Sequence, residues 1–187
     1  DLKRWILKGG FKKDGFKIAI CEQITEPDGK TIVERKVTRV ITPGTWLPEE
    51  SETDAKIAAI YFSQKKVLIA LLESGSGIFK AGTFELERAL SLLTSFNPNE
   101  IVVSKAQKDQ LDILKNEFKK LNIVERDRSE FLDKNAYTRF CKKWNITTLN
   151  SMGFDDLDPV IAVASVALNY LEETQFSQAR HVSSLIP

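Results

Sequence analysis

The chain has 187 residues, 42% of them apolar, and its 27 Lys and Arg nearly cancel 26 Asp and Glu. That length builds one ordinary domain, or one domain with pieces of others, and the near-neutral balance argues against nucleic-acid binding over the whole surface. No apolar run approaches the roughly 20 residues that span a bilayer, and the charged N-terminus lacks the core of a signal peptide, so a soluble, cytoplasmic protein is expected.

The charge is uneven along the chain. Residues 1–43 hold ten Lys and Arg against six Asp and Glu. A balance of about +4 there turns to about −3 beyond, which predicts two segments with different surroundings. Cys21 and Cys141 are the only cysteines and share no metal-ligand spacing with each other or with His181. They are expected to be free, buried small hydrophobes in a reducing compartment, with no structural metal.

Taken in order, "DLKRWILKGG" reads as the tail of a helix stopped by Gly9-Gly10. "KGGFKKDGFKIAICEQ" (8–23) nearly spells a phosphate-binding loop, with Gly10, Gly15 and Lys17. Such a loop follows a strand and opens a helix, however, and here the order is reversed, so its glycines read as turns. "KIAICEQI" is a strand, Pro27-Asp28-Gly29 a turn, and "TIVERKVTRVI" a return strand rich in β-branched residues. Period-two alternation puts Arg35 and Arg39 on one face of it and Lys36 on the other. "TPGTWLPEESETD" (42–54) marks a boundary, with two prolines, a glycine and no periodicity.

A new rhythm follows: strands "AKIAAIYFS", "KVLIALLES" and "GIFKAGTF". The helix "ELERALSLLTSF" (Leu86, Ala89, Leu90 and Leu93 on one face) stops at Asn97-Pro98-Asn99. "EIVVSK" is a strand, Ser104-x-x-Gln107 a capping box for a helix with Leu111, Leu114, Phe118 and Leu121 in one stripe, and "NIVERD" a fifth strand. "SEFLDKNAYTRFCKKW" reads as one helix with Phe131, Leu132, Ala136 and Phe140 inward. Asp158 as N-cap with Pro159 at the first helical position opens the last helix, "VIAVASVALNYLEET".

This order predicts an α/β domain with a mixed sheet of about five strands, ribonuclease-H-like, preceded by a partial α+β unit. A nuclease on that fold would need converging carboxylates, one of them on the first strand, and "KIAAIYFS" has none. Glu73 and Glu100 stand at strand ends and read as solvated acids. His181 has no nucleophile beside it and reads as a surface or packing residue. No catalytic residue, cofactor or metal site is expected in the chain.

"KIAICEQITEP…VERKVTRVITPGT" resembles the end of the mismatch-recognition domain of MutS-type DNA mismatch repair proteins, and "AVASVALNYLEETQFSQARHVSSLIP" the end of their connector domain and start of the lever. The resemblance divides the chain into 1–43 (mismatch-recognition domain), 44–54 (linker), 55–173 (connector) and 174–187 (lever). It implies a non-catalytic connector that couples mismatched double-stranded DNA to a distant ATPase and helps dock a MutL-type partner, in a homodimer. It also implies that the Phe-x-Glu wedge lies upstream of Asp1, and that ATP and Mg bind downstream of Pro187. Arg35, Lys36 and Arg39 are the candidates for DNA-proximal contact, against the plainer reading of a solvated strand. The strands before Pro43 are expected to be loosely held. Alternatives are a ribonuclease-H-like nuclease or resolvase, and a stand-alone interaction module.

Overall fold

The computed structural model describes residues 15–26, 32–46, 55–118 and 122–187. The expected first helix, the Pro27-Asp28-Gly29 turn and Leu121 lie outside these residues. Two strands, β1 (Ile18–Gln23) and β2 (Arg35–Ile41), form an antiparallel hairpin. The other strands among the described residues are β3 (Lys56–Ser63), β4 (Lys66–Glu73), β5 (Phe79–Phe84), β6 (Glu100–Ser104) and β7 (Asn122–Arg126). They build one mixed sheet in the order β5-β4-β3-β6-β7. The first three are an antiparallel meander, and β6 and β7 add in parallel on the other side of β3.

Central strands covered on both faces lose the polar alternation of a half-exposed strand. β3 and β6 show this, buried nearly throughout over "IAAIY" and "EIVVS". On one face lie α1 (Leu86–Phe96) and α2 (Lys108–Glu117), whose Ala89, Leu93, Leu111 and Leu114 pack against Ala58, Ile60, Ile69 and Ile101. The other face carries α3 (Ala136–Trp144) and α4 (Val160–Gln175) over Ile57, Leu68, Leu72, Phe79 and Val102. α4 is buried around most of its circumference, because β3, β4, β5 and also β2 of the hairpin pack on it. A helix so enclosed needs apolar residues on all sides, and "VIAVASVAL" supplies them.

Helix ends follow local chemistry. Asn97, left-handed at φ 51°, closes α1 with its N–H on the Leu93 carbonyl at 2.8 Å. Asp158 Oδ1 accepts the Val160 N–H at 3.0 Å while Pro159 takes helical angles, the N-cap arrangement expected.

Other expectations need correction. Residues 129–144 are not one helix: a 3-10 turn at Glu130–Leu132 precedes α3, and Leu132 is 49% exposed. Asp133 Oδ1 accepts the Asn135 N–H at 2.8 Å, a side-chain bond that competes with the helical ladder at the break. The Ser104/Gln107 capping box does not form. Gln107 instead turns its amide onto the end of β3, accepting from the Phe62 N–H at 3.1 Å and donating to the Phe62 carbonyl at 2.5 Å. It stands in for the strand neighbour that β6 no longer provides there. Cys21 is exposed rather than buried, Cys141 is half-buried, and both are free.

Candidate functional site

Two features of the first segment bear on function: the basic hairpin and the turn that follows it. The ladder runs Ile18↔Ile41, Ala19↔Val40, Ile20↔Arg39 and then Cys21↔Val37, so that Thr38 is passed over. An extra residue in one strand reverses the alternation beyond it. Directly opposed residues share a face. Arg39 therefore lies on the face of Ile18 and Ile20, joined by Lys36 opposite Glu22, while Arg35 falls on the other face with Val37. The expected pairing of Arg35 with Arg39 is thus replaced by Lys36 with Arg39. Arg35 and Lys36 are exposed; Arg39 is half-buried.

The turn after β2, Thr42-Pro43-Gly44-Thr45, is buried throughout. Thr45 Oγ1 accepts the Thr42 N–H at 3.1 Å and lies 2.8 Å from Thr42 Oγ1, to which it donates, since the Thr42 hydroxyl proton is directed elsewhere. That proton goes to Glu100 Oε2 at 2.6 Å, and the Gly44 N–H reaches the same oxygen at 2.9 Å. The Tyr170 hydroxyl, from α4, lies 3.2 and 3.1 Å from the two Glu100 oxygens. Glu100 is 1% exposed. Its expected place as a solvated strand end is therefore wrong: it is the buried acceptor on which the turn, β6 and α4 converge.

Gly44 is required at its position by space. A Cβ there would stand 2.7 Å from Glu100 Oε2 and 3.0 Å from Ile57 Cγ1. The Gly44 carbonyl accepts from Ser74 Oγ at 2.6 Å, and the Ser74 carbonyl lies 2.9 Å from His181 Nε2, which donates to it. The exposed His181 thus ends a chain of bonds running from Glu100 through Gly44 and Ser74.

Charge surrounds the buried acid. Lys17 Nζ sits 5.3 Å from the centroid of the Tyr170 ring, and Arg126 Cζ 5.7 Å. Arg126 pairs with Glu173 of α4 and lies 3.8 Å from Glu130. Burial pushes the Glu100 carboxyl above its ordinary value, opposed by the bonds from Thr42 and Gly44, the Lys17 charge and the Tyr170 bond. Burial, and then the Glu100 charge, push the Tyr170 hydroxyl well above the usual tyrosine range, so it stays a donor. Lys17, part of the near-match to a phosphate loop, thus faces an aromatic ring and a buried carboxylate.

Both Glu100 oxygens are engaged by protein donors, and Glu73 lies 3.9 Å from Lys56. Among the described residues no group of three or more His, Cys, Asp or Glu could hold a metal ion. No described helix is long and apolar enough to cross a membrane. What the arrangement can do is mechanical: it fixes the segment carrying the hairpin onto the sheet and α4. A groove of about 610 Å³ lies between α3, α4 and residues 178–182, lined by Arg139, Lys143, Trp144, Glu172 and Arg180 among others.

A family model described as MutS domain II matches residues 55–183, and one described as MutS domain I matches residues 7–50. Among curated relatives, the DNA mismatch repair protein MutS of Thermodesulfovibrio yellowstonii is 34% identical over 87% of this chain. Those of Myxococcus xanthus and Aquifex pyrophilus are 34% and 32% identical over 95% and 87% of it. The matched parts are 19%, 21% and 18% of those three proteins, so the chain spans about a fifth of their length.

Proposed function

Because the chain belongs to the MutS family of DNA mismatch repair proteins, we propose that it is the joint between that family's DNA-contacting segment and its connector domain. Residues 1–43 form the end of the mismatch-recognition domain, 44–54 the linker, 55–173 the connector and 174–187 the start of the lever. The sheet reads as ribonuclease-H-like, in support of which three antiparallel strands come first and two parallel ones join the first strand's other side. The joint has no catalytic step of its own. In a protein of the relatives' length, a cytoplasmic homodimer, it couples mismatched DNA to the ATPase and offers a surface to a MutL-type partner. The groove between α3 and α4 is the concave surface we favour for that docking.

The observation that carries this reading is the buried seating of Thr42–Thr45 on Glu100. It puts the end of the segment matching domain I into firm contact with the segment matching domain II. On the DNA side, Arg35 and Lys36 are exposed cations at the turn end of the hairpin, opposite Gln23 and Glu22, suited to phosphate contact. Arg39 adds charge from the inner face.

In a protein of the relatives' length, replacing Arg35 and Lys36 by alanine should weaken binding to mismatched and matched duplexes alike. It should also reduce the slope of log affinity against log salt by about 1 to 2, because each phosphate left without its cation keeps its counterion. Unchanged affinity and slope would remove the hairpin from the DNA interface. A nuclease has no comparable support, since Glu100, the one deeply buried acid among the described residues, already has its donors.

A further inference from the structure

We propose that Glu100 is a positioning residue: its carboxylate clasps the Thr42–Thr45 turn and, through Tyr170, ties that turn to α4, setting the orientation of the β1–β2 hairpin on the sheet. This rests on reading the chain as a joint and adds how the joint is held. No short sequence motif marks the clasp. Its parts come from the turn after β2, the first residue of β6 and the last third of α4, far apart along the chain.

Three observations converge on this assignment. A two-stranded hairpin by itself is marginal in water and needs a docking partner. β2 rests on α4 with Ile41 buried and Val37 and Val40 half-buried, while Cys21, Glu22 and Gln23 of β1 are exposed. The polar contacts at the base of β2 are, by contrast, dense and fully buried: the Thr42 hydroxyl, the Gly44 N–H and the Tyr170 hydroxyl all converge on Glu100. Directional bonds from a rigid turn to a single carboxylate constrain angle as well as distance, which greasy packing alone does poorly. The glycine at 44 is what lets the turn come close enough, and a side chain there would collide with the carboxylate.

The second half of the assignment concerns α4. The Tyr170 ring is flanked by Lys17, from just before β1, and Arg126, from the end of β7, which itself pairs with Glu173. A displacement of α4 would move the Tyr170 hydroxyl against Glu100 and the ring against Lys17, and both connect to the hairpin. Tyr170 is therefore the contact through which α4 and the hairpin sense each other's position.

Amide hydrogen exchange on this chain, compared between wild type and Glu100→Ala, Glu100→Gln and Tyr170→Phe, tests the clasp. Glu100→Ala should speed exchange at Gly44 and across residues 37–41 tenfold or more, leaving β3 and the middle of α4 within about twofold. Glu100→Gln, which keeps an acceptor oxygen and the shape, should restore most of the protection. Tyr170→Phe, which removes one donor and no apolar area, should give an intermediate effect at the same amides, and it serves if Glu100→Ala does not fold. Spin labels on the exposed Cys21 and on a cysteine replacing the exposed Glu87 of α1, with Cys141→Ser, should report one narrow distance in wild type and Glu100→Gln. The distribution should broaden in Glu100→Ala.

Equal acceleration at every amide would make Glu100 a contributor to general stability only and overturn the proposal. So would unchanged exchange at residues 37–45. Wild-type exchange in Tyr170→Phe would overturn the link to α4. Neither measurement contains DNA, so a failure of the Arg35 and Lys36 prediction and a failure here are separate results.

Discussion

Burying an ionised carboxyl costs several kcal/mol unless protein donors replace the water it gives up. Around Glu100 three donors do so, yet the balance still holds its proton affinity above the ordinary value of 4.5. The sign of the consequence follows from proton counting. Below about pH 4.5 both folded and unfolded chains carry the proton. As pH rises from 4.5 towards the higher folded value, the unfolded chain releases its proton first, so the folded state loses stability across that window. Lys17, Tyr170 and Arg126 are the charged or titratable side chains gathered there. The difference in unfolding free energy between wild type and Glu100→Gln should therefore fall as pH is raised from 4.5. It should level off once Glu100 is ionised in the folded protein. Urea titrations at a series of pH values measure it; a difference that rises with pH would contradict the burial argument.

Among the elements, those whose formation is local could be read from residue order, and those depending on a distant partner could not. The strands from Lys56 to Arg126 were legible because their apolar runs are short, β-branched and bounded by turn residues. The Asp158-Pro159 start of α4 was legible because a cap needs only its own next turn. Replacing Asp158 by alanine should cost about 1 kcal/mol, a fall in Tm of roughly 2–4 °C for a chain this long, with α4 still helical by circular dichroism. The break before α3 was hidden, since the Asp133 bond to Asn135 looks no different in sequence from a helical first turn. Gln107 matched a capping pattern, but its amide went to Phe62, 45 residues away. The shift of register at Thr38 moved Arg35 off the face of Arg39, and a run of alternating residues gives no sign of a skipped one. Glu100 is the largest of these omissions. A hint existed in retrospect, because "TPGT" brings together hydroxyl and amide donors that must find an acceptor when buried, and Glu100 heads a strand of otherwise apolar or small residues.

Across the whole molecule, the sheet carries unequal layers: α4, α3 and the 3-10 turns on one face, the shorter α1 and α2 on the other. β5 is an edge strand, and the end of the chain covers part of it. The Ala81 N–H bonds the Ile186 carbonyl at 2.9 Å, and the Ile186 N–H bonds the Phe79 carbonyl at 2.9 Å. Such cover protects an edge from pairing with other chains. The bonds from Glu100 to Thr42, Gly44 and Tyr170, and from His181 to Ser74, join positions 56 to 107 residues apart. They have a consequence for the order of assembly. Closing loops of that length costs entropy before any bond is made, and Glu100 has no fixed place until β3 and β6 are paired. The network should thus form after the folding barrier, like a latch dropped once the door is shut. Glu100→Ala should speed unfolding while the folding rate stays within about twofold, the pattern of a contact absent from the transition state. Stopped-flow folding and unfolding in urea reads both limbs, and a slowed folding limb would place the latch in the nucleus instead. Time enters the hairpin's behaviour in that way: its residence on the sheet would be governed by how fast the buried Glu100 carboxylate lets go.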